Sequence, residues 1–407
     1  MSRILILNRY RLQSAAFHRW VSAEHDLFLL NCATRAVDRH PEAAAIRARY
    51  RDIAEFDDYP TNPAVAETAR NWIRRYGIDI IIALSEYDVL RAAELRDEFG
   101  LVGQGVASAT AYRDKLTMKR LLDQAGLPIV PYRSLEHPGD LERFAADTGY
   151  PILVKPRTGT GSRGIRRIEN GPAAAAFEKE HGPGIADHLA ESFRRHELLH
   201  CDGVFVAGRA MFSEVWSWST TVLDVVAGPV PTMAITLDRD DTRRETVVRL
   251  TEETLRVLPT PVVTAFHIEF FDIGGEIVVN EAASRIGGGR IQPTLRRLHG
   301  VDLVELTARH QTGSSPASLT PRQAAPAGGF LIAYDHGDVR GMAPAECPVP
   351  GISHYETNLP CSSGTASDVA SSAYLVSGVA LGKDRPQTAE RLLAMYQWFL
   401  ESVALTG

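Results

Sequence analysis

The sequence predicts an α/β protein of two or three domains, and three observations carry that expectation. At 407 residues the chain is too long for one simple core. Ile4–Leu7 and Ile78–Leu84 are largely apolar runs of the kind that parallel sheets bury on both faces. Much later, Phe266–Ile273 and Glu276–Asn280 flank Gly274-Gly275, which reads as a β-hairpin.

Taken in order, residues 1–110 read as a Rossmann-like lobe. Between its two apolar runs, Pro63–Tyr76 has helical composition and stops at Gly77, a C-terminal cap. Leu101–Val102 reads as another short strand before Gly103 and Gly105. Asn8-Arg9-Tyr10 stands where a dinucleotide fold carries its glycine fingerprint, which argues against dinucleotide binding at that turn. Asp114–Gly126 is a helix with Asp114 as N-cap, stopped by Gly126 and Pro128. Lys115 lies in its first turn, where a cation opposes the helix dipole, a small local conflict that hints at function.

Pro151–Ile168 follows, with Ile152–Val154 as a strand that ends at Lys155. Thr158-Gly159-Thr160-Gly161-Ser162-Arg163-Gly164 offers backbone N–H groups and hydroxyls suited to phosphate oxygens. The glycines match GxGxxG, but Ile165–Ile168 continues as a short strand and not as the helix that a dinucleotide site needs. A hairpin with a glycine loop folding over a triphosphate fits better. Asp202–Ala207 and Ala210–Trp218 are further strands, with Trp216 and Trp218 on one face as core packing. A zinc site at His196, His200 and Cys201 lacks a second ligand pair and is set aside. Gly300–His310 reads as a helix, residues 313–326 as a Ser/Pro-rich boundary, and Gly329–Tyr334 as a strand. Pro386–Val403 is an amphipathic terminal helix, and nothing catalytic is visible after residue 325.

Composition excludes several function classes. Net charge is −6, so no basic footprint points to nucleic acid or an anionic membrane. The opening MSRILILNRY is too briefly apolar for a signal peptide or a membrane span, and a cytoplasmic protein is expected. Cys32, Cys201, Cys347 and Cys361 show no paired spacing and read as reduced thiols.

The chemistry gathers at His267–Arg290. Glu269 in one strand and Glu281 at the end of the next can converge on one hard cation, since facing strands lie ~5 Å apart. Arg285 follows at the mouth of Gly287-Gly288-Gly289. Two acids, an arginine and a glycine-rich loop together read as a phosphoryl-transfer site; the plain alternative is a solvated hairpin with two surface glutamates.

In the order of these parts the chain resembles the ATP-grasp superfamily over roughly residues 1–320, and within it the L-amino-acid (dipeptide) ligase branch. The Lys115 helix comes first, then the Lys155 strand with its glycine loop, then Glu191-Ser192-Phe193 with Glu197, and last the Glu269/Glu281 hairpin with Arg285. The resemblance implies an N-terminal Rossmann-like lobe (1–110), an ATP-grasp domain (111–322) and a small C-terminal α+β subdomain (323–407). It also implies ATP and Mg2+. Lys115 and Lys155 would contact the α- and β-phosphates, and Thr158, Gly161 and Ser162 would cover the β/γ end. Backbone near Glu191 and Phe193 would read adenine, and Glu197 would hold the ribose. Glu269 and Glu281 would bridge Mg2+, and Arg285 would stabilise the transferring phosphoryl group.

One departure stands out. Many members carry Asn two residues after the second metal glutamate, where this chain has Ala283, although Asn280 precedes Glu281. The expected reaction joins a small-molecule carboxylate, activated as an acyl phosphate, to an amine, probing no nucleic acid or membrane; the resemblance admits a homodimer. The rivals are a bicarbonate-activating carboxylase and a non-catalytic nucleotide-binding protein. A nicotinamide-dependent dehydrogenase is opposed by the strand after Gly164.

Overall fold

The computed structural model describes residues 1–159, 164–219, 231–314, 325–334, 343–359 and 374–404. Three sheets follow one another along the chain. The first is the parallel sheet of β1 (Arg3–Asn8), β2 (Asp26–Cys32), β3 (Tyr50–Phe56) and β4 (Ile80–Ala83), in the order β3-β2-β1-β4. Leu5 pairs with Phe28 on one side and Ile81 on the other, and both faces are apolar. That double burial explains the unbroken hydrophobic runs. The helix Pro63–Tyr76 has the predicted bounds: Asn62 accepts the Ala64 N–H at its start, and Gly77 ends it with φ +63°. Leu101–Val102 is not a strand. Val102 is 86% exposed and the segment only links two helices, Asp88–Phe99 and Val106–Arg113.

The second sheet comprises β5 (Tyr132–Ser134), β6 (Ile152–Pro156), β7 (Arg166–Ile168) and β8 (His188–Ser192), in the order β5-β8-β6-β7 and antiparallel throughout. Pairing of β6 with β7 makes the glycine-loop hairpin that the sequence implied. The helix Lys115–Gln124 enters this region under its predicted cap, the Asp114 carboxylate accepting from the N–H groups of Leu116 and Thr117.

The third sheet has eight strands: β9 (Glu197–Val206), β10 (Arg209–Trp218), β11 (Thr232–Thr236), β12 (Val263–Ile273), β13 (Glu276–Ala283), β14 (Ala327–Tyr334), β15 (Ile352–Thr357) and β16 (Tyr374–Gly382). Their order is β13-β12-β9-β10-β11-β14-β16-β15. The segment after residue 325 therefore extends the sheet that carries Glu269 and Glu281. The terminal helix, Arg385–Ala404, lays Leu392, Met395, Phe399 and Val403 against it. Trp216 is fully buried and packs with Phe330, as the core reading of its strand required. The helix Leu303–Gln311 replaces the predicted Gly300–His310, because Gly300 caps a preceding helix, Ile291–His299. Among the described residues no helix is long and apolar enough to cross a membrane.

Gly203, in the middle of β9, is required by space. A Cβ there would lie 2.1 Å from the Phe212 carbonyl oxygen and 2.5 Å from the Phe266 ring. Backbone on one side and a fully buried ring on the other cannot both yield. Gly203→Ala is expected to lower unfolding free energy by about 2–3 kcal/mol, read as a reduced urea midpoint at unchanged m-value.

Candidate functional site

The second and third sheets meet where Pro128 accepts the Val279 N–H at 2.8 Å, and a line of charged side chains lies along that seam. Glu269 and Glu281 are direct cross-strand partners on β12 and β13. Immediately beyond them the register slips, so that Phe270 faces Val279 and Asn280 is the extra residue of a β-bulge. The bulge turns the amide of Asn280 toward the acids: its Nδ2 donates to Glu269 Oε2 at 3.0 Å, and its Oδ1 accepts from Lys155 Nζ at 3.3 Å. Asn280 supplies an amide beside both carboxylates, although position 283 holds alanine.

Lys115 reaches the same point from the helix, its Nζ 3.1 Å from Glu281 Oε1 and 2.9 Å from the Gly159 carbonyl. Its unfavourable place in the first turn is offset by these partners. Lys155, at the end of β6, is buried; its Nζ lies 2.6 Å from Glu191 Oε2. The second oxygen of Glu191 is 3.2 Å from Lys119 Nζ, a lysine one turn beyond Lys115 and only 1% exposed. Burial would push the Glu191 carboxyl up, but Lys119 and Lys155 hold it down at about 2. Burial lowers the Lys119 ammonium. Lys155 is also desolvated, yet Glu191 outweighs that and keeps it raised.

Behind Glu269 stands a second buried row. His267 Nε2 is 3.4 Å from Glu269 Oε1, and its Nδ1 is 2.9 Å from Asp202 Oδ1. The other oxygen of Asp202 receives His200 Nδ1 at 2.6 Å. Burial opposes a charge on His267, but carboxylates on both ring nitrogens raise its pKa and hold it as the cation. Ligand atoms of His200, Asp202 and His267 fall within 4.8 Å of one another, but Asp202 already accepts from both rings, which suits a support for Glu269. The glycine after Ile286 belongs to this support. A Cβ on Gly287 would come within 2.1 Å of Asp202 Oδ1, so the loop's close approach is to a carboxylate of the protein itself.

The remaining predicted residues are distributed as follows. Arg285 Nε donates to Glu86, which lies after β4 in the first lobe, and its Nη1 donates to the Ile286 carbonyl at 2.9 Å. Thr158 is exposed at the base of the glycine loop, while Gly161 and Ser162 lie outside the described residues. Glu197 is largely exposed at the start of β9 and pairs with Arg243 at 2.7 Å. Adenine recognition through the backbone of Glu191–Phe193 needs correction in part. The N–H groups of Ser192 and Phe193 already donate to the Pro131 and Pro151 carbonyls, and Glu191 contributes its side chain. Phe193 carries Arg167 over its ring at 4.5 Å. The zinc trio does not form: Cys201 faces the opposite side of β9 from His200, and His196 stacks on Phe271.

Sequence reasoning missed Lys119, Asp202 and Glu86. Lys119 had one signal, its i+4 spacing from Lys115 on an otherwise apolar helix face. Asp202 shares a strand face with His200, two residues away.

Comparison with known proteins agrees with this geometry. Residues 114–181 match the family model described as carbamoyl-phosphate synthase L chain, ATP binding domain. The L-arginine-specific L-amino acid ligase of Bacillus subtilis is 23% identical over 357 residues, covering 85% of this chain and 84% of that protein. The crystal structure of an L-amino acid ligase from Bacillus licheniformis superposes with a TM-score of 0.72 at 12% identity, covering 98% of this chain and 97% of the other. N5-carboxyaminoimidazole ribonucleotide synthetase from Thermotoga maritima gives 0.67 at 16% identity, with 98% of each chain covered. The chain has the ATP-grasp fold. Over most of its length it is similar to L-amino acid ligases.

Glu191→Gln leaves Lys119 and Lys155 buried without their counter-charge, and is expected to cost about 3 kcal/mol at neutral pH. Adding Lys119→Met should restore most of that loss. The sign of the pH dependence follows from a folded pKa of about 2 against an ordinary 4.5. The stabilisation is complete above 4.5 and is lost as pH falls toward 2. Urea titrations between pH 6 and 3 should therefore show wild type and Glu191→Gln converging on the acid side.

Proposed function

We propose that the enzyme joins amino acids or closely related small metabolites, activating one carboxylate with ATP and passing it to the amine of the other. The observation that carries this reading is the continuous polar line Lys115–Glu281–Glu269–Asn280–Lys155 at the seam of two sheets. Such a line has the charge pattern of a triphosphate site, with cations for phosphate oxygens and acids for a metal. The amino-acid substrate class draws its support from the Bacillus ligases to which the chain is similar over most of its length.

The oxygen donors of Glu269 and Glu281 fit Mg2+, which favours carboxylate ligands shared with substrate phosphates. When bound, Mg2+ would draw charge from the β- and γ-phosphates. Everything else falls to the chain's own residues. Lys155 and Lys115 bind phosphate oxygens as point charges, and the Thr158–Gly164 loop covers the far end. Arg285 faces the transferring phosphoryl group. His267 and Asp202 hold Glu269 in orientation from behind. The substrate carboxylate attacks the γ-phosphorus, ADP leaves, and the acyl phosphate then yields phosphate as the amine attacks its acyl carbon. In the same reading residues 1–110 form the lobe facing the substrates, 111–322 the nucleotide-binding unit, and 323–407 the part that closes the far side of the sheet.

Two measurements test the proposal. With Mg2+, ATP, the standard L-amino acids and hydroxylamine, the enzyme should form hydroxamate and release ADP in equal amounts. AMP as the main nucleotide product would rule the mechanism out, and ADP release that depends on bicarbonate alone would favour the carboxylase rival. Glu281→Gln and Glu269→Gln should each retain a cooperative unfolding transition while losing at least about 100-fold in ADP release. Near-normal turnover of both at saturating Mg2+ would remove the metal assignment.

A further inference from the structure

Glu86 sits just past the C-terminal end of β4, the edge of a parallel sheet at which such folds bind ligands. Its carboxylate is divided between two guanidinium groups. Arg285 donates to one oxygen, and Arg113, the last residue of the helix Val106–Arg113, donates to the other. Arg113 is enclosed, with its side chain 14% exposed. Its Nη2 donates to the Thr158 carbonyl at 3.2 Å, and its Nε is buried with no partner among the described residues. Desolvation depresses its pKa, and Glu281 and Arg285 are the charges that act on it. Arg113 therefore lies near Glu281 and, through Glu86, beside Arg285.

The chain around it is fastened to the base of the glycine loop. The Lys115 N–H donates to the Arg157 carbonyl at 2.9 Å, Lys115 Nζ to the Gly159 carbonyl, and Arg157 pairs with Asp114. Residues 113–115 and 157–159 are thus bonded to each other, and Arg113 ends the first segment beside Glu86.

We infer that Arg113 is a second anion-binding guanidinium of the reaction centre, acting beside Arg285 on the carboxylate that becomes the acyl phosphate. Two guanidinium cations share a single carboxylate in a poorly solvated place, so one positive charge there lacks a counter-charge from Glu86. A substrate carboxylate supplies it, and the buried Nε–H gives a donor for it. In the transfer step the bond from the γ-phosphorus to the β,γ-bridging oxygen breaks and its electron pair leaves with ADP. A bond from a carboxylate oxygen to the same phosphorus forms, and no proton changes hands. Charge on the transferring group lies between the two guanidiniums throughout.

This inference rests on the reading of Arg285 as the phosphoryl-stabilising residue, and the test separates the two. Arg113→Gln, Arg113→Lys and Arg285→Gln are compared by hydroxamate formation from the standard L-amino acids and by calorimetric binding of ADP with Mg2+. Arg113→Gln is expected to lose about 100-fold in rate while its ADP affinity stays within about threefold. Arg113→Lys should fall between it and wild type, because an ammonium keeps the charge and loses the fork. A wild-type rate for Arg113→Gln beside a slow Arg285→Gln overturns the inference and spares the broader reading; wild-type rates for both overturn the broader reading as well. Equal losses of rate and ADP affinity in Arg113→Gln would reduce Arg113 to an anchor of the loop and overturn the inference. If Arg113→Gln does not fold, Arg113→Lys decides: about tenfold loss with ADP affinity retained supports it, and an unchanged rate sinks it.

Discussion

The geometry of the site depends on one β-bulge. In a regular antiparallel pair, side chains alternate between faces, so Asn280 and Glu281 would point to opposite sides of the sheet. The extra residue opposite the Glu269–Phe270 step breaks that alternation. Asn280 then reaches Glu269 and Lys155, while Glu281 keeps its register opposite Glu269 and meets Lys115. A regular strand could not deliver two acids and an amide to the same few ångströms. The local loss of ladder hydrogen bonding is what makes the cluster possible.

Charge burial is the second constraint. Lys119, Lys155 and Glu191 are nearly inaccessible, and so is Asp202. Each ion would be costly alone, and each persists because a partner of opposite sign touches it. This arrangement keeps Lys155 charged before any nucleotide arrives, since Glu191 holds the proton on the amine. A lysine neutralised by burial would offer phosphate far less. The same logic applies to His267, which carboxylates on both ring nitrogens keep cationic and fixed in direction. Preorganisation of this kind has its energetic cost met in folding and not at each turnover.

Much of this was legible in the sequence, because the strongest signals are local. The Asp114 cap, the helix Pro63–Tyr76 with Gly77, the β6–β7 hairpin and the Glu269/Glu281 pair all follow from residue type and spacing within a few positions. What stayed hidden was long-range. Nothing near Glu86 announces that it will meet Arg285, since they are 199 positions apart and touch only when the parallel sheet docks on the glycine loop. Asp202 lies 65 positions from His267 and is joined to it by the pairing of β9 with β12. The strands after residue 325 carried no chemical motif, and their place in the eight-stranded sheet appears only with its topology. The error at Glu191–Phe193 has a similar origin. A backbone edge that looks free in sequence is already taken by the Pro131 and Pro151 carbonyls in the fold.

The polar line and the Glu86 bridge beside it draw on the second and third sheets and on the segment that follows the first, and this has a consequence for how the site assembles. Glu86 follows the last strand of the first sheet, Lys155 and Glu191 come from the second, and Glu269, Asn280 and Glu281 from the third. No one sheet holds both a complete set of phosphate cations and the acids that oppose them. Before docking, Glu281 would lack Lys115 and Glu86 would lack Arg285, so carboxylates would stand without their counter-charges. Docking brings the signs together, so the same contacts that neutralise the parts also define the reaction centre. Directional bonds mark the joints: Val279 N–H to Pro128, Ile286 N–H to Leu84, and the Arg113–Glu86–Arg285 bridge. Around these bonds the first and third sheets share one apolar core, in which Ile4, Ile6 and Ile82 are clustered with Val204, Ala265 and Ile286, so the docking is held by burial as well as by charge. The apolar core thus fixes the relative position of the sheets, and the ion pairs at their edges fix the position of the charged side chains.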